Sequence, residues 1–129
     1  MTKILIVDDS ALMRRLLQQV LQAAGYDVVC AADGQEGLDK VAAEKPDLVI
    51  MDRNMPKVDG MEALRTLRAN PATRSLPVLM ASARLGPADT AEIQAAGANG
   101  FIPKPFQSQQ LLAIIRQHLS ERGFQDNDG

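Results

Sequence analysis

Four short apolar runs end on polar residues, and no other feature constrains the fold as much. Ile4-Leu5-Ile6-Val7 leads into Asp8-Asp9, and Leu48-Val49-Ile50-Met51 leads into Asp52. Val78-Leu79-Met80-Ala81 leads into Ser82, and Phe101-Ile102 passes through Pro103 into Lys104. Short runs that are continuously apolar, rather than alternating, read as strands buried on both faces. Parallel strands end along one edge of a sheet, and ligand sites form there. Three carboxylates, one hydroxyl and one ammonium are therefore expected in one shallow cleft. Such a set can bind a divalent cation and handle a phosphoryl group.

The segments between these runs read as helices. Lys3–Val7 is followed by a helix from about Ala11 to Ala24, with Ser10 as its cap and Gly25 at its end. Tyr26–Ala32 is the second strand. Asp33 and Glu36 form a capping box for the second helix, and Lys45-Pro46 stops it. Leu48–Met51 is the third and central strand, and 53–60 is a loop. Asp59 and Glu62 cap a third helix through about Arg68. After Val78–Ala81, Pro87 opens a fourth helix reaching Ala96, with Gly97 at its end. Asn99–Ile102 is the fifth strand. Leu111, Leu112, Ile114, Ile115 and Leu119 mark a last helix, ended by Gly123. The fourth helix is short and Ala-rich, so it should bury little large apolar surface and shift readily.

Five alternations of strand and helix predict an α/β single domain with helices on both faces of a five-stranded parallel sheet. A site joining the ends of strands one and three fits the flavodoxin-like, doubly wound order 2-1-3-4-5, whose switch point lies between them. The domain is expected over 1–123, with a short polar, frayed C-terminal tail at 124–129.

Bulk properties narrow the functional classes. A 46% hydrophobic share supports a real core. With 14 basic and 16 acidic residues, a dominant nucleic-acid surface is disfavoured. The single cysteine, Cys30, excludes an internal disulfide and fits a reducing compartment. The N-terminus is not a signal peptide, and no apolar stretch approaches the ~18 residues of a membrane span. A cytoplasmic protein is the expectation.

Two carboxylates about 5 Å apart repel by roughly 3 kcal/mol at an effective dielectric of 20. Three clustered acids call for a counter-ion, and Mg²⁺ with oxygen ligands is the natural one. Asp9 and Asp52 are the expected direct ligands, Asp8 acts through water, and the backbone carbonyl of Asn54 completes the set. Asp52 can also serve as a nucleophile and form an aspartyl-phosphate. Lys104 and the Ser82 hydroxyl, or a nearby N–H, would then neutralise phosphoryl oxygens.

The chain resembles the receiver domains of two-component response regulators, most of all the stand-alone chemotaxis type. The resemblance spans about 3–120. It rests on Asp8-Asp9, on Met51-Asp52-Arg53-Asn54-Met55-Pro56-Lys57-Val58-Asp59-Gly60, on Ser82-Ala83 and on Phe101-Ile102-Pro103-Lys104-Pro105. Val58 stands where the family often has Met. The resemblance implies that Asp52 accepts phosphate from a histidine kinase or phosphotransfer protein with Mg²⁺ bound. It implies that Ser82 and Phe101 form a conformational switch controlling a downstream target protein, and that Asn54 and Arg84 tune phosphoryl lifetime. The protein would be no enzyme beyond its own Mg²⁺-dependent phosphorylation and dephosphorylation. It would be a monomer or weak dimer, with no direct nucleic acid binding and no membrane association.

Other readings compete. A receiver-like protein-interaction module would be expected to lack a key residue, and none is missing. A receiver fragment of a larger regulator would carry the same residues. An aspartyl-nucleophile phosphohydrolase needs a second acid two positions after the nucleophile, where Asn54 stands. A flavin carrier needs a hydroxyl- and glycine-rich phosphate loop where Asp8-Asp9-Ser10 lies. His118 reads as a partly exposed helix residue and Cys30 as a small buried apolar one. Met13, Met51, Met55, Met61 and Met80 read as packing, and Arg14-Arg15, Arg65 and Arg68 as solvated helix faces.

Overall fold

The computed structural model describes residues 2–55 and 57–121. Five strands and five helices alternate along them: β1 (Lys3–Val7), α1 (Ala11–Ala23), β2 (Asp27–Ala31), α2 (Gly34–Glu44), β3 (Leu48–Asp52), α3 (Gly60–Ala69), β4 (Val78–Ser82), α4 (Pro87–Ala95), β5 (Gly100–Pro103) and α5 (Ser108–Glu121). All strand pairs are parallel and the order is β2-β1-β3-β4-β5, as expected from the sequence. The expected end of α5 at Gly123 and the tail at 124–129 lie outside the described residues.

The apolar runs alternate between two cores. Leu5, Val7, Val49, Met51, Val78 and Met80 face α2, α3 and α4, represented by Val41, Leu64 and Ile93. Ile4, Ile6, Leu48, Ile50 and Leu79 face α1 and α5, represented by Leu21 and Ile115. A sheet covered on both faces needs apolar residues at consecutive positions, which is why the runs are continuous. Of the methionines read as packing, Met51, Met55, Met61 and Met80 are buried, and Met13 is partly buried against the α1–α5 core.

Ser10, Asp33 and Asp59 cap α1, α2 and α3, each accepting from the backbone N–H three residues on. The return bond expected of Glu36 goes instead to the N–H of Ala32, at 2.7 Å. This ties the end of β2 to α2, one residue earlier than a capping box would. Gly25 and Gly97 take positive φ after α1 and α4, and Lys45 takes it after α2 at 49°.

Three expectations need correction. Cys30 is half-buried rather than buried, and burial still pushes its thiol pKa up. Arg68 is not a solvated face residue. It donates to the carbonyls of Gly97 (2.8 Å) and Thr73 (3.3 Å) and to the Asn99 side chain (2.8 Å). It thereby joins the end of α3 to the turns before β4 and β5. Arg14 is also engaged, donating at 2.6 Å to the Asp8 carbonyl.

Candidate functional site

Strand register explains why distant residues meet. Val7 pairs with Met51, so Asp8 follows beside Asp52. Asp52 pairs with Ala81, which puts Ser82 one residue further along the next strand. Ser82 pairs with Pro103, and Lys104 follows it. The backbone N–H of Lys104 donates to the Ser82 carbonyl at 3.0 Å, extending the ladder to the site.

The three acids and the lysine converge as expected, whereas the Ser82 hydroxyl does not join them. Lys104 Nζ lies 3.1 Å from Asp8 Oδ2 and 3.1 Å from Asp52 Oδ1. Asp8 and Asp52 are buried, Asp9 is exposed, and carboxylate oxygens of all three lie within 4.8 Å of one another. Three carboxylates and one ammonium carry a formal charge of −3 + 1 = −2, which a divalent cation balances. Opposite ligands of an octahedral Mg²⁺ stand about 4.2 Å apart, twice its ~2.1 Å bond length, so the all-oxygen set fits this ion with small adjustments.

Local bonds fix the carboxylates. Asp8 Oδ1 accepts from the Ser10 N–H at 2.9 Å, and Asp52 Oδ1 accepts from the Asn54 N–H at 3.3 Å. Burial raises the Asp52 pKa; Lys104 works against this and the Asp8 charge adds to it. Burial pulls the Lys104 ammonium down, but the Asp52 and Asp8 carboxylates outweigh it and the net shift is upward. Lys104 thus stays charged at neutral pH beside a carboxylate poorly compensated by protein alone.

Behind Asp52 the backbone is tightly held. The Arg53 N–H donates to Ala81 O at 3.0 Å, and the Gly60 N–H donates to Arg53 O at 3.0 Å. A Cβ on Gly60 would lie 2.1 Å from the Asp52 carbonyl oxygen, so only glycine lets α3 start this close to the site. In the same loop Lys57 adopts φ 66°.

Ser82 is placed at the strand end, but its hydroxyl is turned into its own loop. It accepts from the Arg84 N–H at 3.0 Å and donates to the Arg84 carbonyl at 3.1 Å. Phe101 is half-buried, packed against the core that holds α4, beside a groove of about 430 Å³ it shares with Leu85, Ile114 and His118. Both ring nitrogens of His118 are engaged at 2.8 Å, by the carbonyls of Ile114 and Asn99. This tethers α5 to the residue before β5, and His118 is partly exposed, as read from the sequence.

Sequence reasoning missed Arg53. Its guanidinium reaches α4, with Nη1 3.5 Å from Asp89 and Nη2 against Glu92. Acids spaced i, i+3 at the start of a helix signal a shared helix face, but nothing local says which residue faces them.

Comparison with known proteins agrees with this geometry. The family model "Response regulator receiver domain" matches residues 4–116. Protein PilG of Pseudomonas aeruginosa is 34% identical over 117 residues, covering 91% of this chain and 87% of that protein. Response regulator MprA of Mycolicibacterium vanbaalenii is 39% identical over 98% of this chain, which spans only 54% of it. The solved chemotaxis protein CheY4 of Vibrio cholerae superposes with a TM-score of 0.86 at 38% identity, covering 91% of this chain and 98% of that one. With its fold, its converging acids and lysine, and these relatives, the chain belongs to the response regulator receiver domain family.

Proposed function

We propose that this receiver domain is switched by phosphorylation of Asp52, with Mg²⁺ held by Asp9, Asp52 and the Asn54 carbonyl, and by Asp8 through water. As a receiver, the chain is a signalling module of two-component phosphorelays, a class that works with histidine kinases and downstream targets. The observation that carries the finer reading is Lys104 Nζ at 3.1 Å from both Asp8 and Asp52 at a three-carboxylate cluster.

In the step proposed, an Asp52 carboxylate oxygen attacks the phosphorus of a phosphohistidine or small acyl phosphate. The new O–P bond forms as the donor's N–P or O–P bond breaks, and the leaving group keeps that electron pair. Lys104 neutralises an equatorial phosphoryl oxygen without giving up its proton. Bound Mg²⁺ would supply charge neutralisation at a second oxygen. Ser82, exchanging Arg84 for a phosphoryl oxygen, would hold the third and open room for Phe101. Hydrolysis by water returns Asp52 and inorganic phosphate. The reading includes a cytoplasmic setting, a domain over 1–123 with a tail at 124–129, a monomer or weak dimer, and no direct nucleic acid contact.

Intact mass after incubation with a small acyl phosphate tests this. Wild type should gain one phosphate with Mg²⁺ and none with a chelator. Asp52→Asn should gain none, and Asp9→Ala should need far more Mg²⁺. Equal uptake by Asp52→Asn would remove Asp52 from the role.

A further inference from the structure

The residue after the acceptor makes an attachment that the phosphoryl chemistry does not use. The Arg53 side chain, only 17% exposed, spans from the acceptor loop to α4 and meets two acids there, Asp89 and Glu92. Its backbone is clamped on both sides, by Ala81 O and by the Gly60 N–H, so its Cα is a fixed point. The other end of the bridge is loosely held. Ile93 is the one buried residue of α4, and Gly86 gives the helix no side-chain cap. Two ion pairs therefore add to the Ile93 contact in positioning α4 beside the site.

We propose that Arg53 is an electrostatic latch coupling charge on Asp52 to the position of α4. The inference rests on Asp52 being the phosphoacceptor. With a bare carboxylate at Asp52, the guanidinium holds Asp89 and Glu92. The aspartyl-phosphate carries up to about two negative charges where the bare carboxylate carried one, so phosphorylation adds about one. Adjacent Cα atoms are about 3.8 Å apart, so this charge is introduced on the residue next to the one that carries the guanidinium. It competes with the helix acids for the same cation and loosens α4. Ser82 is bonded within its own loop in this same arrangement, so the latch belongs to the state without phosphate. Coupling between two equilibria is reciprocal, so acids that hold Arg53 on α4 must also oppose anion binding at Asp52.

Beryllofluoride with Mg²⁺, a phosphoryl mimic, is the probe, read by titration and by amide chemical shifts. The variant Asp89→Asn/Glu92→Gln should bind it roughly two- to five-fold tighter, the range expected from partly exposed ion pairs. Without the probe, its α4 amides should already be displaced toward their positions in the saturated wild type. Arg53→Ala should show the same displacement without the tighter binding, because it loses the cation as well. Asp27→Asn/Asp39→Asn removes two exposed acids outside the latch and controls for net charge. A latch variant that binds no tighter than this control, or leaves α4 unmoved, overturns the latch. A wild type that takes up no beryllofluoride overturns the acceptor reading and the latch with it, so the two failures are distinguishable.

Discussion

Helices α3 and α4 follow one another in the chain, have similar lengths of 10 and 9 residues, and cover the same face of the sheet, yet they are held very differently. The first starts under an Asp59 cap and buries Met61, Ala63, Leu64 and Leu67 as well as Gly60. The second starts at an uncapped glycine and buries Ile93 alone. At roughly 1.5–3 kcal/mol for each large apolar side chain buried, α3 has about three times the apolar anchorage of α4. A Cβ on its first residue would collide with the Asp52 carbonyl, so this glycine forms part of the frame of the site. By contrast, α4 meets the site through Arg53. One fold thus puts a heavily anchored helix and a lightly anchored one on either side of the loop after Asp52.

The hardest test of this contrast is to add one methyl group at each helix start. Gly60→Ala would place Cβ 2.1 Å from Asp52 O and 2.9 Å from Arg53 Cα, contacts that only backbone movement relieves. We expect a loss of stability above about 4 kcal/mol, or a protein that folds with Asp52 displaced and no longer takes up phosphate. Gly86→Ala meets only Asp89 Oδ2, at 3.4 Å, and its φ of −67° suits any residue. Its urea midpoint should stay within the equivalent of about 0.5 kcal/mol. Comparable losses at the two positions would mean that α4 is seated as rigidly as α3.

A milder comparison removes one side chain from each core. Leu64→Ala should lower the free energy of unfolding by about 2–5 kcal/mol in a single transition. Ile93→Ala should act first on α4 itself, whose amides lose hydrogen-exchange protection while those of β3 and β4 keep theirs. If Ile93→Ala instead weakened the whole domain as much as Leu64→Ala, with no local loss in α4, the two helices would belong to one cooperative unit.

The fixed parts of the molecule were the legible ones. Ile4–Val7, Leu48–Met51 and Val78–Ala81 declare themselves as strands because burial on both faces demands apolar residues at every position. Asp8, Asp9, Asp52 and Lys104 then follow from strand ends that share an edge. That α4 buries little large apolar surface could also be read from its alanines. Partnerships between surfaces distant in sequence were not legible. Arg68 looks like any helix-face arginine until the turns carrying Thr73, Gly97 and Asn99 fold around it. Arg53 and the acids of α4 are 36 and 39 residues apart. The Ser82 hydroxyl has several orientations open to it, and only the loop geometry at Arg84 selects one. Backbone register is encoded locally in apolar pattern, whereas a long side chain's partner depends on where other elements land.

The smallest expected effects lie in the caps. Asp59 accepts from the Glu62 N–H at 2.9 Å, and Asp59→Ala should cost about 1 kcal/mol. At the start of α4 the opposite change is available, because Gly86 is already extended at φ −67° and ψ 173°. Gly86→Ser supplies an oxygen for the free N–H groups of the first turn, worth only a few tenths of a kcal/mol over glycine. That is enough to slow hydrogen exchange in α4 by roughly two-fold where exchange proceeds through local opening. It should also make α4 respond less to beryllofluoride, since a helix better fixed at its start gains less from release of Arg53. Slower exchange with an undiminished response would place the motion in the body of α4 around Ile93. No change in either would mean that the looseness of the helix does not begin at its uncapped end.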